Sequence, residues 1–335
     1  MPSLEQGSRR IVIAGATSLL GTELRSLLEE SRFAGDEFRL LDEEVAAGTL
    51  TEAGGEAAVI QAVEEGSFDR AGKVFFCGSA DFTRANLGAA KAGGARIIDL
   101  SGATAEDDGT ACWFSKLDAL QGRSFPRDAS VFLVPSAAAA CTSSLALGLF
   151  KIGVSRLVVI CHQPVSEAGR AGIEELESQT GQLLSFQGMG QPVFDTQVAF
   201  NLLDRFGPGS RPKLDVMRHR LRTETTACVG KKAILPALHL IHAPVFYGTA
   251  FAACAELLPG TSLEQVLKAC EDAGFAIPSE IEPGPSNVSV AGEKVAHLAK
   301  PEEDPARPGA WWFWGAADNI RLPAANAVKL AEMLP

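Results

Sequence analysis

Nothing in this chain of 335 residues reaches the roughly 18 consecutive apolar positions that a membrane span requires, and positive charge is scarce, with a formal net charge of -11. A phosphate backbone or an anionic bilayer selects a basic surface, so neither nucleic acid nor membrane is expected as a partner. The stretch Met1–Arg10 is polar and lacks the apolar core of a signal peptide, which leaves the cytoplasm as the default compartment. Cysteine is sparse and scattered: Cys77, Cys112, Cys141, Cys161, Cys228, Cys254 and Cys270 form no C-x-x-C pair and are odd in number. That usage suggests neither a disulfide framework nor a zinc site, and no metal is expected. Internal repeats are missing, and the only biased tract is a Pro/Glu/Asp-rich loop at Lys300–Pro308. What remains is 46% hydrophobic and 21% charged, ordinary for a globular chain and long enough for two domains with cores of their own.

The first part of the chain alternates. Arg10–Ala14 reads as a buried strand, Gly15–Gly21 as a glycine turn, and a helix follows to about Glu30. Phe38–Asp42, Lys73–Cys77, Arg96–Leu100 and Ser130–Val134 read as further strands, with a helical stretch from Ser79 to Ala92. Strands alternating with helices predict a parallel sheet with helices on its faces. A strand, a glycine turn and a helix open a Rossmann-type unit, where helix N-terminal amides cradle a pyrophosphate; here Ser18 stands where the middle glycine is usual. The second strand ends in Asp42, Glu43 and Glu44. An acid there can accept from a ribose diol and repels a 2′-phosphate, or the three are solvated loop charges.

After Cys141 the texture changes. Arg156–Cys161 and the pair Ala237–Tyr247 and Thr249–Leu257 are strand candidates, Ser262–Ala273 is an amphipathic helix, and Ala310–Gly315 is an aromatic strand. A helix is expected through Leu184, and Lys213–Thr225 is a basic stretch carrying His219. This irregular mixture predicts an α+β domain. Within Ser136–Ala146, read S-A-A-A-A-C-T-S-S-L-A, Cys141 falls where a strand gives way to a helix. The positive helix end would lower its pKa and make a nucleophile; the alternative is a small buried hydrophobe.

Along nearly its whole length the chain resembles the aspartate-semialdehyde dehydrogenase family, and within it the divergent Usg-type paralogues. The resemblance rests on Gly15–Gly21, Cys77–Asn86, Ile98–Ala103, Cys141–Leu145, Gln163–Gly172, Gln197–Asn201, P-V-F-Y-G at Pro244–Gly248, and A-D-N-I-R-L-P-A-A-N-A-V-K-L-A at Ala317–Ala331. It implies an α/β fold: a doubly wound Rossmann-type domain over 1–138, completed by a C-terminal helix at 319–335, and an inserted α+β catalytic and dimerisation domain over 139–318 that makes a homodimer.

Family members interconvert aspartyl phosphate and aspartate semialdehyde with NADP. A cysteine thiolate attacks the acyl carbon, hydride transfer follows, and a histidine handles the proton. The resemblance puts the nucleophile on Cys141, where the family's preceding N-P-N is A-A-A, and the positioning glutamine on Gln163. The acid/base histidine falls on Thr249, whose hydroxyl cannot trade a proton near neutral pH as imidazole can. The substrate arginines fall on Ala105 and His242, and the family's E-x-x-K on Asp215 and Arg218. A neutral histidine cannot grip a carboxylate as guanidinium does. For the cofactor it implies Gly15, Thr17, Ser18, Leu19, Leu20, Gly21, Asp42, Cys77, Gly78, Ser79, Ser101, Ser166 and Asn319. Glu167 replaces a glycine beside the nicotinamide. NADP or NAD is the implied cofactor, with NAD favoured because Asp42, Glu43 and Glu44 replace the family's grip on the 2′-phosphate. Two readings stand: an oxidoreductase of this family, or a catalytically disabled dimeric paralogue with a binding or structural role.

Overall fold

The computed structural model describes residues 10–53, 56–279 and 283–335. The N-terminal stretch read above therefore lies, up to residue 9, outside the described residues. The chain divides into two compact units, one running up to Phe114 with Phe125–Val134 and Pro323–Pro335, the other comprising Ser115–Ser124 and Pro135–Leu322.

The first unit follows from short apolar runs punctuated by glycine. Strand β1 (Arg10–Ala14) leads into helix α1 (Leu19–Glu29) and then β2 (Phe38–Asp42). A small antiparallel hairpin, β3 (Leu50–Ala53) and β4 (Glu56–Val59), precedes the two-residue β5 (Gln61–Ala62). Strand β6 (Ala71–Phe76), helix α2 (Ala80–Ala92), β7 (Arg96–Asp99), β8 (Ala111–Cys112) and β9 (Val131–Leu133) complete the series. Seven of these strands form one sheet in the order β5-β2-β1-β6-β7-β9-β8, every pair parallel. Burial on both faces explains why β1 reads as an unbroken apolar run rather than an alternation. One face packs Ile11, Ile13, Phe75 and Ile98 with Leu24 and Leu28 of α1 and with Ala327 and Leu330 of the C-terminal helix Arg321–Met333; the other packs Val12, Val74, Phe76 and Ile97. The expected doubly wound, Rossmann-type sheet is what forms.

At the carboxyl end of β1 the chain turns at Gly15, with φ 90. A Cβ there would lie 2.2 Å from the backbone nitrogen of Gly78, so the turns after β1 and β6 approach as closely as only glycine permits.

The second unit opens with the short α3 (Leu117–Gln121) and then α4 (Ala137–Phe150), capped by the Ser136 hydroxyl. Small and apolar residues occupy all sides of α4, as expected of a helix buried all round. Strand β10 (Arg156–Gln163), α5 (Gly169–Leu184), α6 (Leu214–Val229), β11 (Ala237–His242), β12 (Thr249–Glu256), α7 (Leu263–Asp272), β13 (His297–Leu298), β14 (Glu302–Glu303) and β15 (Ala310–Ala317) follow. The sheet runs β11-β10-β12-β15-β13, with β14 on β15; β10 and β11 are parallel and the rest antiparallel. It is the mixed α+β layer that irregular spacing predicts.

Strand β10 alternates, burying Leu157, Val159, Cys161 and Gln163 on the face where α4 packs. The opposite face carries the cross-strand row His239–Ile160–Ala252–Trp314, with Trp312 one row away. Both tryptophans are exposed, Trp312 to 50% and Trp314 to 41%.

Five cysteines (Cys77, Cys141, Cys161, Cys254 and Cys270) are free thiols. Among the described residues no group of His, Cys, Asp and Glu could hold a metal ion, and no helix is long and apolar enough to cross a membrane.

Candidate functional site

In the second unit, a cleft of about 60 Å³ opens where the N-terminus of α4 meets the end of β10 and the start of β12. Gln163 and Thr249 line it. Thr249 is held in place by its predecessor: Gly248 has φ 82, and a Cβ there would lie 2.6 Å from the Asn287 carbonyl oxygen, so the glycine of P-V-F-Y-G is a steric requirement. Gln163 donates from Nε2 to the Met217 sulfur at 2.8 Å.

The α4 residues that reach this cleft are Ser136 and Ala138. Cys141 is the fifth residue of α4, a turn deeper, and only 2% exposed. Its thiol pKa is pushed well up, first by burial and then by neighbouring Cys161, whose own is raised to about 12, chiefly by burial. The helix dipole acts within the first turn, and at this depth the loss of water outweighs it, which favours the buried-hydrophobe alternative for Cys141.

His242 is also placed away from the cleft lining. It is 1% exposed, its Nε2 lies 3.3 Å from the Val198 carbonyl oxygen, and its ring packs on Phe206 and Phe194. Burial lowers its pKa, opposed by the hydrogen bond with Val198. Asp215 and Arg218 line a different, larger depression of about 330 Å³ together with Asp204, Arg205 and Lys213. Arg218 donates there to the carbonyl oxygens of Asp204 and Leu240 at 3.1 and 3.2 Å.

One charged residue that lines the cleft, Arg220, escaped the sequence reading together with its buried partner Glu224, and a second lining residue, Glu167, was read differently. Arg220 on α6 pairs through Nε with Glu224 Oε1 at 2.7 Å, and Glu224 is wholly buried. The second Glu224 oxygen accepts from the Ser136 amide at 2.9 Å and from its hydroxyl at 2.6 Å, tying the cap of α4 to α6. The signal that could have found them is helical spacing: Met217, Arg220, Leu221 and Glu224 are i, i+3, i+4 and i+7 on one face, whereas Asp215 and Arg218 point elsewhere. Glu167, in the short 3-10 turn after β10, also lines the cleft and accepts from Asn319 Nδ2 at 2.9 Å. Burial is the main cause raising its carboxyl pKa, opposed by Arg220 and the Asn319 hydrogen bond. Asn319 Oδ1 accepts from the Gly248 amide at 2.9 Å, and its Nδ2 donates to Ser166 Oγ at 3.1 Å, so Ser166, Glu167 and Gly248 are bound together by one amide.

Of the residues expected at a dinucleotide, those from Gly15 to Ser101 belong to the first unit, and Ser166 and Asn319 to the second. Ser18 caps α1: its hydroxyl accepts from Gly21 and lies 2.8 and 2.9 Å from the carbonyl oxygens of Gly15 and Cys77. The first-turn amides of Leu19 and Leu20 are left over by the helix ladder, the donor set a pyrophosphate needs. Asp42 is only 8% exposed and already accepts from Thr17 N and Oγ1 at 2.7 and 2.6 Å and from Glu43 N at 2.9 Å. Its carboxylate locks the glycine turn rather than facing outward, and the open acids on this rim are the exposed Glu43 and Glu44. Cys77 is buried, its thiol pushed up by burial and then by Asp99 and Asp42. Gly78 abuts Gly15, and Ser79 caps α2 by accepting from Phe82 N. Ser101 donates from its hydroxyl and amide to Asp99 at 2.6 and 2.8 Å; Ala105 follows in the same turn, its amide donating to the Gly102 carbonyl. The residues thus fit a pyrophosphate at α1.

Comparison with known proteins agrees with both halves. Residues 10–140 match the family description "Semialdehyde dehydrogenase, NAD binding domain", and residues 147–322 match "Semialdehyde dehydrogenase, dimerisation domain". A Pseudomonas aeruginosa protein named USG-1 protein homolog is 29% identical over 332 residues, covering 97% of each chain. Aspartate-semialdehyde dehydrogenase 2 of Vibrio cholerae is 27% identical over 334 residues, again covering 97% of each. The solved structure of a probable aspartate-semialdehyde dehydrogenase from Pseudomonas aeruginosa superimposes with a TM-score of 0.85 at 27% identity over 97% of both chains. Fold, matched regions and full-length relatives converge: the chain belongs to the semialdehyde dehydrogenase family.

Proposed function

We propose that this member of the family has given up phosphorylating oxidation of aspartate semialdehyde and persists as a homodimeric binding protein. The observation that carries the reading is the lining of the cleft, where Ser136 and Ala138 face Gln163 and Thr249. The family reaction needs a thiolate and an imidazole at that place. Cys141 is buried and held as a thiol, and threonine cannot serve as acid or base near neutral pH. The absent base alone would cost about 10² to 10⁴ in rate, and a nucleophile held off the cleft forfeits proximity as well.

Support for a homodimer comes from the dimerisation-domain match and from the two exposed tryptophans on the free face of the mixed sheet. For the nucleotide, the free amides at α1 favour a dinucleotide, and Glu43 and Glu44 favour NAD over NADP.

The test is a pair of measurements on the full chain. Titration with NAD and NADPH is expected to show NAD binding about tenfold tighter, the effect of about 1.4 kcal/mol of like-charge repulsion on the 2′-phosphate. Oxidation of aspartate semialdehyde in phosphate, with either nucleotide, is expected at background rate. NADPH binding at least as tightly as NAD would remove the nucleotide preference, and enzymatic turnover would remove the reading as a whole.

A further inference from the structure

The free face of the mixed sheet carries His162, His239 and His297, three of the chain's five histidines. His239 stands in the row with Ile160, Ala252 and Trp314, and the next row runs Ile241–His162–Ala250–Ala316–His297. Val290 packs with Ala250 and Ala316 and covers the middle of that second row. His162 lies beside the covered stretch, half-buried, two residues from Ile160 on the same side of β10. Its ring packs on Trp314 with centroids 5.8 Å apart, and its Nδ1 is buried with no hydrogen-bond partner. A proton added at Nδ1 brings a charge into an apolar surround, which costs free energy. The other two histidines differ. His297 has the Glu293 carboxylate at 3.9 Å to meet a positive charge, and His239 is exposed on the outer strand β11.

We infer that this face joins two copies of the chain only while His162 is neutral, so that acid separates the homodimer. The inference rests on the homodimer reading and adds what controls it. A second copy is the occupant of the face because the matched dimerisation domain, residues 147–322, contains every strand that builds it. Trp312 and Trp314, exposed beside Ile160, supply the aromatic anchors of an interface core.

Covering His162 with a second copy removes further water from its ring, so the dimer binds protons more weakly than two separate copies do. Burial already lowers the His162 pKa within one protomer, opposed by the Ala250 backbone. Affinity is therefore full above the free protomer's value, which lies below the ordinary histidine pKa of about 6.5, and is lost as pH falls through it. The same histidine enters twice in a two-fold dimer, so affinity weakens by up to about a hundredfold per pH unit. The other titratable or charged groups on this side of the sheet are Arg156 of β10, Cys254 and Glu256 of β12, Glu302 of β14, and His239 and His297. Arg307 pairs with Glu256 at 2.7 Å, and Asp304 accepts from Trp312 Nε1 at 2.9 Å. Acid neutralises the carboxylates and lessens repulsion between two chains of net charge -11, which favours association. A loss of affinity in acid therefore opposes the general charge effect and points to the histidine.

The experiment is sedimentation equilibrium of the full chain from about pH 8 down to about pH 4.5, with far-ultraviolet circular dichroism at each point. Wild type is expected to be dimeric at the upper end and to weaken by about a hundredfold or more toward the lower end, with its helix signal unchanged. His162→Phe and His162→Gln take up no proton there, and both are expected to change by less than about threefold over the range. His239→Gln is expected to follow wild type. A wild-type dimer whose affinity holds or rises in acid overturns the inference and leaves the homodimer reading standing. So do His162 variants that keep the wild-type pH dependence, or a His239→Gln protein that loses it. Loss of the helix signal over the same interval also overturns it, because the transition is then unfolding. A monomer at the upper end removes the homodimer reading and the inference with it.

Discussion

Arg220→Met is expected to lower stability by about 3–5 kcal/mol, read as a drop in the urea midpoint at unchanged slope. The cost does not come from Arg220's own exposure, since its side chain is 35% accessible, but from what is left behind: Glu224 at 0%. A carboxylate removed from water is tolerable only while its partners remain. Glu224 would retain the Ser136 amide and hydroxyl but lose its charge partner. Replacing both residues, Arg220→Met with Glu224→Met, removes the orphaned charge and is expected to recover a large part of the loss. The remainder reflects the Ser136 cap contacts, worth about 1 kcal/mol by the usual cost of a lost helix cap. A double-mutant cycle isolates the pair; additive losses would show that Arg220 and Glu224 act independently and that the cleft is not organised around their pairing.

Ile160→Glu is expected to convert the proposed homodimer to a monomer at micromolar concentration, measured by sedimentation equilibrium. Ile160 lies in the row His239–Ile160–Ala252–Trp314, on the sheet face opposite α4. Two tryptophans and an isoleucine exposed together on a flat sheet are what an interface core requires, and aromatic anchors dominate such interfaces. In a two-fold dimer the substitution enters twice, because the same patch faces itself. Each carboxylate desolvated without a partner costs at least about 1–3 kcal/mol, so the dissociation constant weakens by about a hundredfold or more. A dimer of unchanged affinity would place the interface on another surface.

How much of this could be read in the residues alone differs between the units. The parallel sheet was legible because its strands are buried on both faces and separated by glycine turns, so apolar runs and punctuation coincide at Arg10–Ala14, Phe38–Asp42 and Arg96–Asp99. Helix Leu214–Val229 was not: its arginines and threonines leave too few apolar positions for a clear stripe, and packing rather than pattern determines it. Asp215 and Arg218, read from E-x-x-K, line a separate depression, and without the helix there was no face on which to group Arg220 with Met217 and Leu221. Cys141 was read too close to the helix start. Ser136 is the cap, so the cysteine sits beyond the first turn, and a dipole argument sensitive to one turn fails. Asp42 was correctly put at the end of its strand, yet nothing in its neighbours announced that Thr17 would take up its carboxylate.

The claim at the centre of this account is that the cleft holds no working nucleophile. Its most direct test compares wild type and Cys141→Ala for phosphate-dependent oxidation of aspartate semialdehyde, with saturating NAD and then NADP, at neutral pH. Equal, background rates in both proteins are the predicted result. A wild-type rate well above background that disappears in Cys141→Ala would contradict it, since the thiol would then have to reach a substrate from a position the fold keeps buried.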